Sequence, residues 1–302
     1  MKNKNRRILI CGATGFIGKT LSGFLTNNKY IVEPITRQHL SLPTRELADY
    51  LTGALAIFNF AGAPILSNWT EKNKKAIYES RIKTTRKLVD AIKQSTYKPE
   101  LFFSTSAVGI YDSYEVHDEF STNFANDFLS HICIDWEKEA FQLCNLQSTR
   151  VIIGRLGIVL GNGGGAYPSM ITPFKLGLGG RIGDGYQCMP FIHINDLTCA
   201  LWFFLNNKNC KGIYNLVAPQ MISNREFSQK LSKALHRPHI VTVPKWILKL
   251  IYGDGAILLI QGQKVIPKRL KDNHFPFEFP TIDQAIKDLL KTTKDPEPTG
   301  HI

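Results

Sequence analysis

The chain has 302 residues, a formal net charge of +12, and 43% hydrophobic against 21% charged side chains. That length can bury a substantial core as one large domain or two lobes, and the balance is ordinary for a soluble globular protein. The positive excess is scattered, with short clusters only at 2–7 and 72–75 and no aromatic-basic face, so neither nucleic-acid nor membrane binding is expected.

The basic lead MKNKNRR enters an apolar run that Gly12 and Gly15 soon break, which is too short for a secretory signal. No segment approaches the ~20 apolar residues of a membrane helix. The six cysteines show no CxxC and no Cys/His ligand spacing. That pattern points to free thiols in a reducing cytoplasm and to no metal site.

In chain order, RRILIC (6–11) reads as a strand, FIGKTLSGFLTNN (16–28) as a helix and YIVEPIT (30–36) as a second strand. The stretch from Arg37 to Leu55 has room for one crossover helix but hardly for a strand and two helices. Strand two would then border little or nothing, which tolerates Pro34. LAIFNFAG (55–62) and ELFFSTSAVG (100–109) are further strands, separated by a helix over 73–94. A helix over 127–144 and a strand-and-loop over 149–161 complete the first half. Apolar strands alternating with helices predict an α/β fold with a Rossmann-type doubly wound parallel sheet.

Beyond 160 the chain turns Gly-rich (161–165 and 177–185), and both runs are expected to shape a substrate mouth. Strand-plus-helix patterns follow at 190–207, a strand at 212–219 and a helix at 223–237 opened by the Ser223/Glu226 capping spacing. The tail holds two or three helices between 244 and 290, and 294–302 should fray. The expected organisation is a dinucleotide-binding domain over 1–165 with 190–220 returning to it. A smaller, mostly helical substrate lobe takes 166–189 and 221–302.

CGATGFIG (11–18) places Gly12, Gly15 and Gly18 between a strand and a helix. Glycines there permit a tight turn, backbone approach to a pyrophosphate and close helix packing, and the helix N-terminus supplies amide donors. At the end of strand two an NAD site usually carries an acid; this chain has Thr36 and Arg37. A guanidinium there suits a 2′-phosphate, so the expected cofactor is NADP(H).

These motifs resemble the extended short-chain dehydrogenase/reductases, and in particular the poorly characterised "epimerase family" branch with its own C-terminal domain, here about 248–295. The likeness also runs through FNFAGAPI, STSAVGIYD, DFLSHICIDWEKEA, RLGIVLGNGGGA, FIHINDL and LLIQGQKVIPKRL. It implies that Gly12, Gly15, Phe16, Ile17 and Gly18 hold the pyrophosphate and Arg37 the adenosine phosphate. It further implies Phe60, Ala61 and Gly62 beside the cofactor ribose, Arg81 beside the active site, and Gly157 and Ile158 near the nicotinamide. Helices 73–94 and 127–144 are where the superfamily often forms a homodimer.

Typical members use a Ser or Thr, a Tyr proton donor and a Lys four residues later. Ser106 fits the first role, but Cys133 and Glu137 occupy the other two positions. A lysine lowers a neighbouring acid's pKa whereas a glutamate raises it, so the Tyr-Lys mechanism is absent. Ser106, Tyr111, Arg81 and Cys133 are the remaining catalytic candidates, and His193 is expected to be structural, bonded to Asp196 or backbone. Two readings stand: an NADP(H)-dependent oxidoreductase or epimerase-like protein acting on a small molecule, or a catalytically silent NADP(H)-binding regulator working through a partner.

Overall fold

A computed structural model of the protein describes residues 6–291; the expected frayed tail and most of the 2–7 cluster lie outside them. Strands β1 (Arg7–Cys11), β2 (Ile31–Ile35), β3 (Ala56–Asn59) and β4 (Leu101–Ala107) come from the first third of the chain. Strand β5 (Val116–His117) is short, and β6 (Arg150–Leu156) returns to the centre. Helices α1 (Phe16–Asn27), α2 (Arg37–Ser41), α3 (Thr44–Leu51), α4 (Glu71–Gln94) and α5 (Phe128–Phe141) connect them. The later elements are β7 (Ile158–Leu160), α6 (Tyr167–Lys175), β8 (Gly180–Ile182), β9 (Phe191–His193), α7 (Ile194–Asn206) and β10 (Gly212–Leu216). Then come α8 (Asn224–Ala234), β11 (Val241–Val243), α9 (Lys245–Tyr252), α10 (Ile257–Ile260), β12 (Lys264–Val265), α11 (Lys268–Asp272) and α12 (Ile282–Lys291).

The central sheet is parallel, in the order β10-β6-β4-β3-β1-β2. Period-two alternation sends Ile8 and Ile10 to one face and Leu9 and Cys11 to the other. The first face packs on Leu21 and Leu25 of α1 and Leu197, Leu201 and Phe204 of α7. The second packs on Leu47 and Leu51 of α3, Leu88 and Ile92 of α4 and Ala140 of α5. Burial on both faces explains the apolar runs ILIC of β1 and AIF of β3.

Strand β2 is a sheet edge, so Pro34 costs no ladder bond there. The Arg37–Leu55 stretch forms two short helices and no strand, and the Tyr50 hydroxyl donates to the Pro34 carbonyl at 3.1 Å. Helix α4 starts two residues before the expected 73 because Thr70 caps it, accepting from the Asn73 amide. The tail forms four short helices where two or three were expected. It shares a third core in which Phe279, Ile282 and Ile286 meet Leu160, Tyr167, Phe191 and Phe227. Among the described residues no helix is long and apolar enough to cross a membrane, and no group of His, Cys, Asp or Glu is placed to hold a metal.

Candidate active site

The site residues gather at the carboxyl ends of the central strands, the edge where open α/β sheets bind ligands. After β1 the chain turns through Gly12, whose φ is +83°. A Cβ at Gly12 would stand 2.9 Å from the Phe60 carbonyl carbon, and one at Gly18 would stand 2.2 Å from the Gly12 carbonyl oxygen. Both positions need glycine for backbone packing. A Cβ at Gly15 would meet only the Gly12 oxygen at 3.3 Å, which leaves that flank of the turn open. Helix α1 begins at Phe16 and Ile17 with no side-chain cap and no acid in its first turn. Its leading amides therefore have no helical acceptor and present a positive dipole end.

Register carries the second strand end to this turn, since Ile35 lies beside Cys11. Thr36 caps α2 in a capping box with His39, and Arg37 follows it, exposed. Phe60 donates its amide to the Cys11 carbonyl at 2.9 Å, and the Ala61 amide reaches Asn59 Oδ1 at 3.2 Å. A Cβ on Gly62 would touch the Arg81 guanidinium at 3.0 Å. Arg81 donates to the Ile77 and Ala63 carbonyls at 3.0 Å each and lies 5.4 Å over the Trp136 ring. Burial pushes its pKa down.

The Gly-rich runs go to two different places. Gly161, Gly164 and Gly165 wrap the Phe16 ring at the start of α1. By contrast, Gly180 packs on the Val241 carbonyl and Gly183 on Lys245, away from the α1 turn. Gly157 and Ile158 spend their amides on the Leu216 and Pro190 carbonyls at 3.2 and 2.7 Å.

Ser106, Arg155 and Asn215 form one polar row across β4, β6 and β10. Ser106 Oγ donates to Glu137 Oε1 at 2.7 Å. Arg155 grips the same carboxylate with two bonds, Nε to Oε1 at 2.8 Å and Nη2 to Oε2 at 2.7 Å. Its Nη1 donates to the Tyr111 hydroxyl at 2.7 Å. That hydroxyl lies 2.9 Å from both the Asp118 carbonyl and Asn215 Oδ1. Asn215 in turn donates its amide to Glu119 Oε1 and its side-chain nitrogen to the Ile266 carbonyl.

Most of the expected catalytic set is engaged within the protein. Tyr111 is 0% exposed and Ser106 2% exposed, and both hydroxyls are bonded within the protein. Cys133 is buried, and desolvation with the Glu137 charge pushes its thiol up to about 12, so it stays neutral at physiological pH. Arg81 is the one member of the set that remains partly exposed. His193 accepts the Asn195 amide on Nδ1 and lies against the Phe279 ring at a 39° tilt, while Asp196 bonds the Glu278 and Phe279 amides instead. Its Nε2 stands 3.4 Å from Asp288, outside good hydrogen-bond geometry, and burial holds its pKa low.

Sequence reasoning missed Arg155, Asn215 and Glu119. The available signal was the lone cation in VIIGRLGIVL: a charge in a strand buried on both faces needs a buried partner.

Residues 8–216 match the model of the NAD dependent epimerase/dehydratase family, and residues 243–289 match a domain of unknown function, DUF1731. Epimerase family protein SSP1921 of Staphylococcus saprophyticus is 34% identical over 297 residues, covering 94% of this chain and 99% of that protein. The crystal structure of human epimerase family protein SDR39U1 (isoform 2) with NADPH is 36% identical. It superposes with a TM-score of 0.87, covering 94% of this chain and 99% of that one. A nucleoside-diphosphate sugar epimerase from Corynebacterium glutamicum is 27% identical with a TM-score of 0.77, covering 94% of this chain and 58% of that one. The chain belongs to the NAD dependent epimerase/dehydratase family, in the branch of epimerase family proteins that carry their own C-terminal domain.

Proposed function

We propose that the chain binds NADP(H) along the carboxyl edge of its sheet and acts as an oxidoreductase or epimerase-like protein on a small molecule, without a Tyr-Lys pair. The observation that carries the cofactor reading is the junction of the open, uncapped α1 turn with exposed Arg37 at the end of β2. The α1 amides suit a pyrophosphate and the guanidinium suits a 2′-phosphate, so the residues present fit the group. The human relative crystallised with NADPH supports the same choice. When bound, the nicotinamide supplies or accepts a hydride; the protein's part is to hold it, exclude water and orient a substrate. Arg81, partly exposed beside Gly62, is our candidate for polarising a substrate oxygen, and Ser106, Glu137 and Arg155 stiffen the sheet end.

Fluorescence titration with NADPH and NADH checks the cofactor assignment. NADPH should bind more tightly, and Arg37→Ala should erase the preference. An unchanged preference would remove Arg37 from the site.

A second reading is favoured by the burial of Ser106, Tyr111 and Cys133: an NADP(H)-responsive regulator without turnover. Nicotinamide oxidation over a panel of carbonyl compounds separates the two. Turnover lost in Arg81→Met supports chemistry. Tight NADPH binding with no turnover, and a partner contact that needs NADPH, supports regulation.

A further inference from the structure

Far along the chain from the α1 turn, α8 and the β8–β11 pair enclose a surface cavity of about 230 Å³. Arg181, Arg225, Gln229, His239, Ile240 and Thr242 line it, and no carboxylate does. Local structure sets the roots of the two arginine side chains side by side. The Arg225 amide bonds the Gly185 carbonyl at 2.8 Å, and a Cβ on Gly185 would touch both Arg225 Cβ (2.9 Å) and Arg181 Cβ (3.2 Å). Arg181 Nε donates only to the neutral Thr242 hydroxyl at 3.2 Å, and Arg225 reaches the Tyr186 hydroxyl at 3.5 Å. Among the described residues neither arginine has an ion-pair partner within 4.0 Å. His239 Nε2 is shielded from solvent and has no hydrogen-bond partner.

Two guanidiniums without an ion-pair partner and an orphaned ring nitrogen around one cavity form a donor-rich set with no carboxylate to balance it. Two cations that line one small cavity favour an anion between them. A buried ring nitrogen without a partner also costs free energy that a ligand oxygen would recover. Gln229 adds an amide at the rim. The space exceeds that of a lone oxyanion, leaving room for a small attached group.

We propose that this cavity binds a phosphoryl group, with Arg181 and Arg225 as the charge clamp and His239 as a further donor. The site is separate from the cofactor edge and does not rest on the NADP(H) reading. His239 also supplies a built-in reporter. Burial, then Arg181 and Arg225, hold its pKa below the ordinary histidine value, and a bound dianion reverses the electrostatic part of that shift.

The test is a titration of the full chain with inorganic phosphate, followed by NMR of the histidine rings across pH. Saturable binding should raise the His239 pKa, and Arg225→Gln or Arg181→Gln should weaken phosphate by about tenfold or more. Arg37→Ala should leave this phosphate binding unchanged, which separates the site from any anion held at the α1 turn. Should one Gln variant unfold, the wild-type His239 shift and the other variant decide. A parallel titration with glycerol 3-phosphate distinguishes the source: tighter binding than phosphate identifies a phosphate monoester, and equal or weaker binding a free anion. No shift of His239 at saturating phosphate, or binding lost only in Arg37→Ala, overturns the proposal.

Discussion

Glu137 is a buried carboxylate on α5, 6% exposed, and the structure shows what such burial requires. A buried carboxylate needs a cation, and Arg155 reaches it from the neighbouring strand with two bonds, while Ser106 supplies a third. Removing one partner leaves an uncompensated buried charge. Arg155→Met should therefore cost about 3–5 kcal/mol in urea unfolding, and pairing it with Glu137→Gln should recover much of that loss. Strictly additive losses in the double-mutant cycle would show that the two do not act as a unit. The buried thiols allow a pH experiment. Burial raises Cys11 and Cys133 from an ordinary value near 9 to about 12. The unfolded chain then loses those protons before the native one does. Stability from the neutral thiols is thus complete below about pH 9 and is lost as pH climbs toward 12. The urea midpoint should fall over that range, less steeply in Cys11→Ala. At pH 8 iodoacetamide should label exposed Cys144 first and leave Cys133 untouched until unfolding.

At the scale of elements, α1 separates packing from conformational freedom within one helix. A Cβ at Gly18 would collide with backbone, at 2.2 Å from the Gly12 oxygen and 2.8 Å from Ala13 Cα, whereas one at Gly23 meets nothing within 4 Å. Gly18→Ala should destabilise by about 1–3 kcal/mol and weaken NADPH, because the turn must move. Gly23→Ala should stabilise by about 0.5–1 kcal/mol through helix propensity. Equal effects of the two substitutions on unfolding would deny the close contact. The alternation of strands and helices was legible because both sheet faces are buried, so RILIC and AIFN read as apolar runs. The β2 edge was legible from Pro34 and the short link after Arg37. The row Ser106–Arg155–Asn215 was not, because register across three strands far apart in the chain leaves no local pattern. The same holds for Tyr111: its spacing from Ser106 suggested a shared substrate, but the 3-10 turn at Val108–Ile110 folds its hydroxyl inward to Arg155.

Two buried carboxylates tie the C-terminal segment to the sheet. Glu119 accepts the Asn215 amide at 3.0 Å and the Arg269 amide at 3.2 Å, joining β10 to α11. Asp196, on α7, accepts the Glu278 and Phe279 amides at 2.8 and 3.0 Å, just before α12 enters the third core. Hydrophobic burial draws α12 inward without direction, whereas these bonds set where the chain crosses α7. Asp196→Ala strips the acceptor from two backbone donors, one of them in a buried bond, at a cost of about 2–5 kcal/mol. Residues 273–281 should then become the first segment cut in limited proteolysis, while the amides of β1, β3 and β4 keep their hydrogen-exchange protection. Loss of protection throughout the sheet would mean that the C-terminal segment and the sheet unfold as one cooperative unit. Unchanged resistance of 273–281 would mean that Phe279, Ile282 and Ile286 hold α12 by burial alone, with Asp196 contributing no measurable anchor.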